Sequence, residues 1–216
     1  PMTEARLNAL PAHPVATAPQ GLTEPVTVFG HPGWRLGFYQ EALNSYHAFK
    51  SLKQQGKLPA HLRFQVSIPA AVSALPPRVF PVPGDLEKVR PGYIDAVRAE
   101  VQAILEHIPP SELAIQWDCS SELQDAYGKV AGLPPEGMIE RNLPQIHALS
   151  HDLPEEVLLG VHLCFGTLGG WPRFEPDSTD RAVELANAFI EGAECVGSGR
   201  HAAVQPGLGQ QPDRKS

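Results

Sequence analysis

Three short stretches rich in branched and aromatic residues, HLRFQVSIP (61–69), SELAIQWD (111–118) and EEVLLGVHLCFG (155–166), recur about 45–50 residues apart. In the first, Phe64, Val66 and Ile68 alternate with Arg63, Gln65 and Ser67, the period of a strand, and Pro69 ends it. The spacing is far too long for hairpins, and helical patterns fill the gaps. One covers 40–54, with Ala42, Leu43, Tyr46 and Phe49 on one face and Gly56 as a stop. A second covers 91–107, with Pro91 at its start and Ile94, Val97, Val101, Ile104 and Leu105 on one side. A third covers 136–150, interrupted or started late by Pro144, and a fourth 178–191, capped by Asp177 or Ser178. Strands that alternate with helices run parallel through crossovers, so the expected fold is α/β with a parallel sheet covered on both faces.

The remaining segments read as irregular. Residues 1–39 form an N-terminal segment with one strand-like run, Val26–Phe29, and the α/β domain spans 40–192. Residues 70–90 hold four prolines and a Pro83-Gly84 turn, which predicts a long loop of the kind that covers a site. The tail 193–216 has no sustained periodicity where a further strand is due, and is expected to be irregular or disordered. A net charge of −7 argues against nucleic acid as a partner, since phosphate needs clustered Lys and Arg. The sequence has no apolar run long enough to cross a bilayer and no signal-like stretch, and its three scattered cysteines suit a reducing compartment. A soluble, cytoplasmic protein acting on a small molecule is the expectation.

Each strand ends in a polar pair two residues apart, so both members point the same way: Gln65 and Ser67, Gln116 and Asp118, His162 and Cys164. Parallel sheets gather ligands at the carboxyl ends of their strands, which makes these pairs a candidate site. Imidazole and thiolate are ligands zinc prefers, and His162 and Cys164 at i, i+2 could reach one ion, with Asp118 or Glu122 as a third donor. Alternatively His162 is a general base oriented by Asp118, or Cys164 is a nucleophile beside it. His162 and Cys164 could equally be packed core residues, Asp118 a local cap, and the two glutamines a structural polar layer. The glycine-rich GTLGGWP (166–172) lacks the spacing of either familiar phosphate loop. His13, His31, His47 and His61 show no ligand-like spacing and read as surface.

AIQWDCSSE resembles the I-Q-x-D-E-P strand of the cobalamin-independent methionine synthase and uroporphyrinogen decarboxylase superfamily, and HLCFG resembles its H-x-C-Y strand. FQVSIPA stands, more loosely, where that superfamily has a G-P-x-T strand, and the order of the three agrees over about residues 40–192. The resemblance implies a (β/α)8 TIM barrel. It implies His162 and Cys164 as zinc ligands, with zinc holding an acceptor thiol as thiolate for methyl transfer. It also implies Asp118 at the substrate's polar end, within a substrate-binding set of Gln65, Ser67, Gln116, Asp118 and Glu122. The family's glutamate and proline are here Cys119 and Ser120, and its two further zinc ligands come from later strands. The expectation is therefore a partial barrel, incomplete at the C-terminus, with three outcomes open: a shortened version of a longer enzyme, a homodimer whose copies cover each other's exposed edges, or strands re-closed as a smaller α/β sheet. The functions in play are zinc-assisted methyl transfer, a non-catalytic metabolite-binding fragment, or a metal-free lyase or cyclase using His162 and Asp118.

Overall fold

A computed structural model describes residues 36–76, 79–80, 82, 84–130, 133–166, 172–196 and 202–206. The expected strand at Val26–Phe29 and most of the 166–172 loop lie outside them. The chain runs α1 (Phe38–Gln54), β1 (Phe64–Pro69), α2 (Ala71–Ala74), α3 (Asp85–Leu105), β2 (Leu113–Asp118) and α4 (Ser120–Ala126). It continues through α5 (Met138–Ser150), β3 (Leu158–Leu163), α6 (Asp180–Val196) and β4 (Ala202–Pro206). The four strands form one parallel sheet in sequential order, β1-β2-β3-β4.

Sequential order decides where the helices go. Crossovers between parallel strands share one hand, so strands added always on the same side put every connecting helix on the same face. The helices accordingly follow the sheet as a layer, α1 on α3, α3 on α5 and α5 on α6. The strands show the consequence. Val66, Ile68, Leu113, Ile115, Trp117, Leu159, Val161 and Leu163 face the helices and are buried. In β1 the alternate residues Gln65 and Ser67 are exposed, and in β3 Leu158 is exposed while Gly160 and His162 are half-buried. The expectation of a sheet covered on both faces is thus corrected. Among the described residues the helices pack on the face of Val66, Ile115 and Val161, while on the other face the two flanking strands are open and Ala114 and Gln116 of the central β2 are buried.

Two boundaries also differ from expectation. The 70–90 segment is not one loop: it contains α2, and α3 starts at Asp85, with Pro91 inside it rather than at its first turn. Proline there removes one helical N–H, a loss that burial of Val89, Tyr93, Val97, Val101 and Ile104 along the same helix outweighs. Pro144 likewise sits inside an unbroken α5. The tail is not irregular throughout, because α6 runs on to Val196 and Ala202–Pro206 pairs in register with Leu159–Leu163.

Buried carboxylates tie the helix layer together. Gly37, at φ 95°, opens α1 without a side-chain cap of its own. Glu100 of α3 supplies that cap from a distance, accepting hydrogen bonds from the N–H groups of Leu36 (2.8 Å), Gly37 (3.4 Å) and Tyr39 (2.7 Å).

Candidate functional site

The strand register brings the polar pairs together on the uncovered face. Ser67 lies beside Gln116, and Asp118 lies between Pro69 and His162. Backbone hydrogen bonds carry the ladder past the strand ends, Ala70 N–H to Asp118 O (3.0 Å) and Cys119 N–H to His162 O (2.9 Å), which fixes the rim where those side chains project.

A directed chain of hydrogen bonds crosses this face. Gln65 Nε2 donates to Gln116 Oε1 at 3.1 Å and to Ser67 Oγ at 3.3 Å. Gln116 Nε2 in turn donates to Ser67 Oγ at 3.2 Å and to Asp118 Oδ1 at 2.8 Å. Ser67 Oγ accepts from both amides, so its own hydrogen remains for another acceptor. Asp118 Oδ2, the His162 ring and the Cys164 thiol carry no hydrogen bond among the described residues. Three uncommitted polar groups, the Ser67 hydroxyl, Asp118 Oδ2 and the His162 ring, therefore lie on that face of β1, β2 and β3, and the Cys164 thiol follows just past the end of β3.

Asp118 and His162 are register neighbours but make no hydrogen bond or ion pair with each other. A direct orienting contact between them, one of the sequence expectations, is not formed. The expected third donor Glu122 does not join the rim. It is buried on α4, where Oε1 accepts from the N–H groups of Val72 (3.0 Å) and Ser73 (3.2 Å) and Oε2 is 2.5 Å from Ser73 Oγ. Its place in the substrate-binding set is corrected: both oxygens hold the start of α2. Burial raises its pKa above the ordinary carboxylate value, against the pull of those hydrogen bonds.

The zinc expectation can be tested on the donors present. Cys164 is half-buried and His162 stands two residues before it, but no group of three His, Cys, Asp or Glu among the described residues converges to hold a metal ion. Cys119 is completely buried, and burial first, then the nearby carboxylates of Glu122 and Asp118, push its thiol well up. A neutral, enclosed thiol is a poor ligand. The described residues do not make up a zinc site.

Sequence reasoning missed the buried polar residues of the helix layer, among them Asp125, Asn142 and Gln145. Arg141 grips Asp125 through Nε–Oδ2 (3.1 Å) and Nη2–Oδ1 (2.8 Å). A signal was available: Asn142 falls on the apolar stripe of Met138, Ile146 and Leu149, where a polar residue must be held by a partner. None of the described helices is long and apolar enough to cross a membrane. No protein-family model, curated protein or solved structure matches this chain.

Proposed function

We propose that the uncovered sheet face is the ligand-binding wall of a barrel-type site, as in the partial (β/α)8 barrel that the methionine synthase and uroporphyrinogen decarboxylase resemblance implies. The ligand is a small polar molecule held across the strand ends. The observation that carries this reading is the row from Gln65 through Ser67 and Gln116 to Asp118, with His162 on the next strand. Sequential parallel order with all helices on the other side supports it, since that is how a barrel presents one sheet face to its interior.

Roles follow from the groups left uncommitted. Ser67 O–H donates to a ligand oxygen, and Asp118 Oδ2 accepts from a ligand N–H or O–H. The amides of Gln65 and Gln116 hold both in place. His162 is the proton carrier, the usual task of an imidazole beside a carboxylate in metal-free lyase or cyclase chemistry. Edge strands and an open face also suit a second copy of the chain as the covering partner, consistent with a homodimer.

The test is thermal denaturation across a panel of small polar metabolites, combined with metal analysis and solution mass. A melting temperature raised by one panel member, and no longer raised in Asp118→Asn, is the expected result. Unchanged melting across the panel would sink the reading. Near-stoichiometric zinc that disappears in both His162→Ala and Cys164→Ala would replace it with the zinc-assisted methyl transfer reading.

A further inference from the structure

Where β1 passes into α2 and β2 into α4, a carboxylate is enclosed without a counter-charge. Glu122 is 2% exposed, and among the described residues no Lys, Arg or His pairs with it. The groups that face it can be named element by element. α2 contributes the Ser73 hydroxyl and the Val72 and Ser73 amides, and α3 contributes Tyr93, whose O–H is given to Pro69 O at 2.7 Å. Cys119, at the turn into α4, is a buried thiol kept neutral. Arg141 of α5 is committed to Asp125, Arg181 of α6 donates to Ala126 O, and His162 of β3 lies on the other side of the sheet. Glu122 therefore depends on neutral donors alone.

Ser73 makes the protonation state visible in the hydrogen bonding. A serine hydroxyl has one hydrogen to give and two lone pairs to receive with. One lone pair takes the Ser121 N–H at 2.9 Å, at the start of α4. The contact of 2.5 Å with Glu122 Oε2 uses either the hydrogen or the second lone pair. With Glu122 ionised, Oε2 only accepts, so Ser73 O–H must donate to it. With Glu122 neutral and its proton on Oε2, that O–H donates to Ser73 Oγ, both lone pairs are taken, and the serine hydrogen is released.

We propose that Ser73 and Glu122 form a proton-operated switch at the carboxyl end of the sheet, in which uptake of one proton from water by Glu122 reverses the hydrogen bond between them and resets the start of α2. In the ionised form the Val72 and Ser73 amides point at a full negative charge. In the neutral form they meet a weaker carbonyl acceptor. Ser73 is half-buried, so its released hydrogen turns to solvent or to a ligand. Burial raises the pKa of Glu122, which moves the changeover upward from the range of an exposed carboxylate. α2 begins two residues past Pro69, and the Ala70 N–H between them is bonded to Asp118 O at 3.0 Å, so a shift of α2 is felt at the rim. Ligand binding on the sheet face is then linked to the same proton. That link rests on the sheet-face reading, and the switch itself does not.

The experiment is an NMR pH titration of the whole chain that follows the Glu122 side-chain carboxyl carbon and the amides of Val72, Ser73, Ser121 and Ala70. One shared midpoint, above that of a free glutamate, is expected at the carboxyl and at the amides. In Glu122→Gln the amides should lose this titration. In Ser73→Ala, which removes the hydroxyl and keeps the amide, the carboxyl midpoint should move up, because the hydroxyl favours the anion. Circular dichroism confirms that both variants fold, and should Glu122→Gln fail to, the wild-type titration and Ser73→Ala decide. A carboxyl that does not titrate while the chain is folded would overturn the switch. So would amides that still titrate in Glu122→Gln, or a midpoint in Ser73→Ala that stays or falls. The link to the sheet face fails separately if a metabolite that binds in wild type and not in Asp118→Asn leaves the Glu122 midpoint where it was. Absence of any binding metabolite sinks the sheet-face reading and that link, and leaves the switch standing on its titration.

Discussion

The two faces of the sheet are made from the same strands, residue by residue in alternation, yet they hold opposite kinds of chemistry. On the helix side Trp117 is fully buried, and its single donor is matched by Ser150 Oγ at 2.8 Å. One residue to either side, Gln116 and Asp118 face the opposite way and belong to a hydrogen-bonded row whose ends are free. In the helix layer polar groups are mostly saturated, as in Glu100 and Glu122, and their work is to hold elements together. On the open face they are oriented but not saturated. A row of that kind adds little stability, and its value lies in what it can still bind.

The largest expected effects test this contrast directly. Trp117→Ala removes a fully buried indole from the sheet–helix core and should lower stability by about 3–5 kcal/mol. Ser67→Ala, on the exposed face of the same sheet, should cost less than about 1 kcal/mol. Urea denaturation midpoints of the two variants measure the difference. Comparable losses would mean that the open face is itself a core, and the reading of it as a binding wall would fail.

Glu100 gives the next effect in size. Its carboxylate serves three N–H groups at the start of α1, all of them lost in Glu100→Ala, with an expected loss of about 2–3 kcal/mol. Glu100→Gln keeps one acceptor oxygen and should recover a good part of that. Hydrogen exchange would show whether the loss is concentrated in Phe38–Gln54, as a cap predicts, or spread across the chain. A uniform loss would say that Glu100 is a general core residue rather than the clamp between α3 and α1.

Legibility in the sequence followed the same division. The first three strands could be read because one face is strictly apolar, and Phe64-Val66-Ile68 or Leu159-Val161-Leu163 repeat at period two. Ala202–Pro206 could not, because AAVQP has neither bulky branched residues nor a clean alternation, and its pairing with β3 is a tertiary fact. The start of α3 was hidden by Pro91, which marks a first turn far more often than an interior. One-sided coverage depends on strand order, which local pattern does not encode. The polar pairs were legible as a shared face, since i, i+2 spacing requires it. That Glu122 turns inward to α2 was not, because nothing in SSELQDA distinguishes a carboxylate at a rim from one that holds a neighbouring helix.

Glu122 supplies the smallest and most specific test. Loss of hydration on burial raises its pKa above the 4.5 of a free glutamate, while the Ser73 hydroxyl and the Val72 and Ser73 amides pull the other way. The unfolded chain thus releases this proton at lower pH than the folded one. Its contribution to stability is complete below about pH 4.5 and declines as pH rises through the folded pKa, then stays constant. Glu122→Gln has no such proton, and a glutamine can still accept at one oxygen and donate to Ser73 Oγ. The stability of this variant relative to wild type should therefore improve from pH 4 towards neutrality and level off beyond, as read from urea midpoints at a series of pH values. A change of opposite sign would mean that the amides of α2 outweigh the loss of hydration. Glu122 would then be an anion held by the start of that helix.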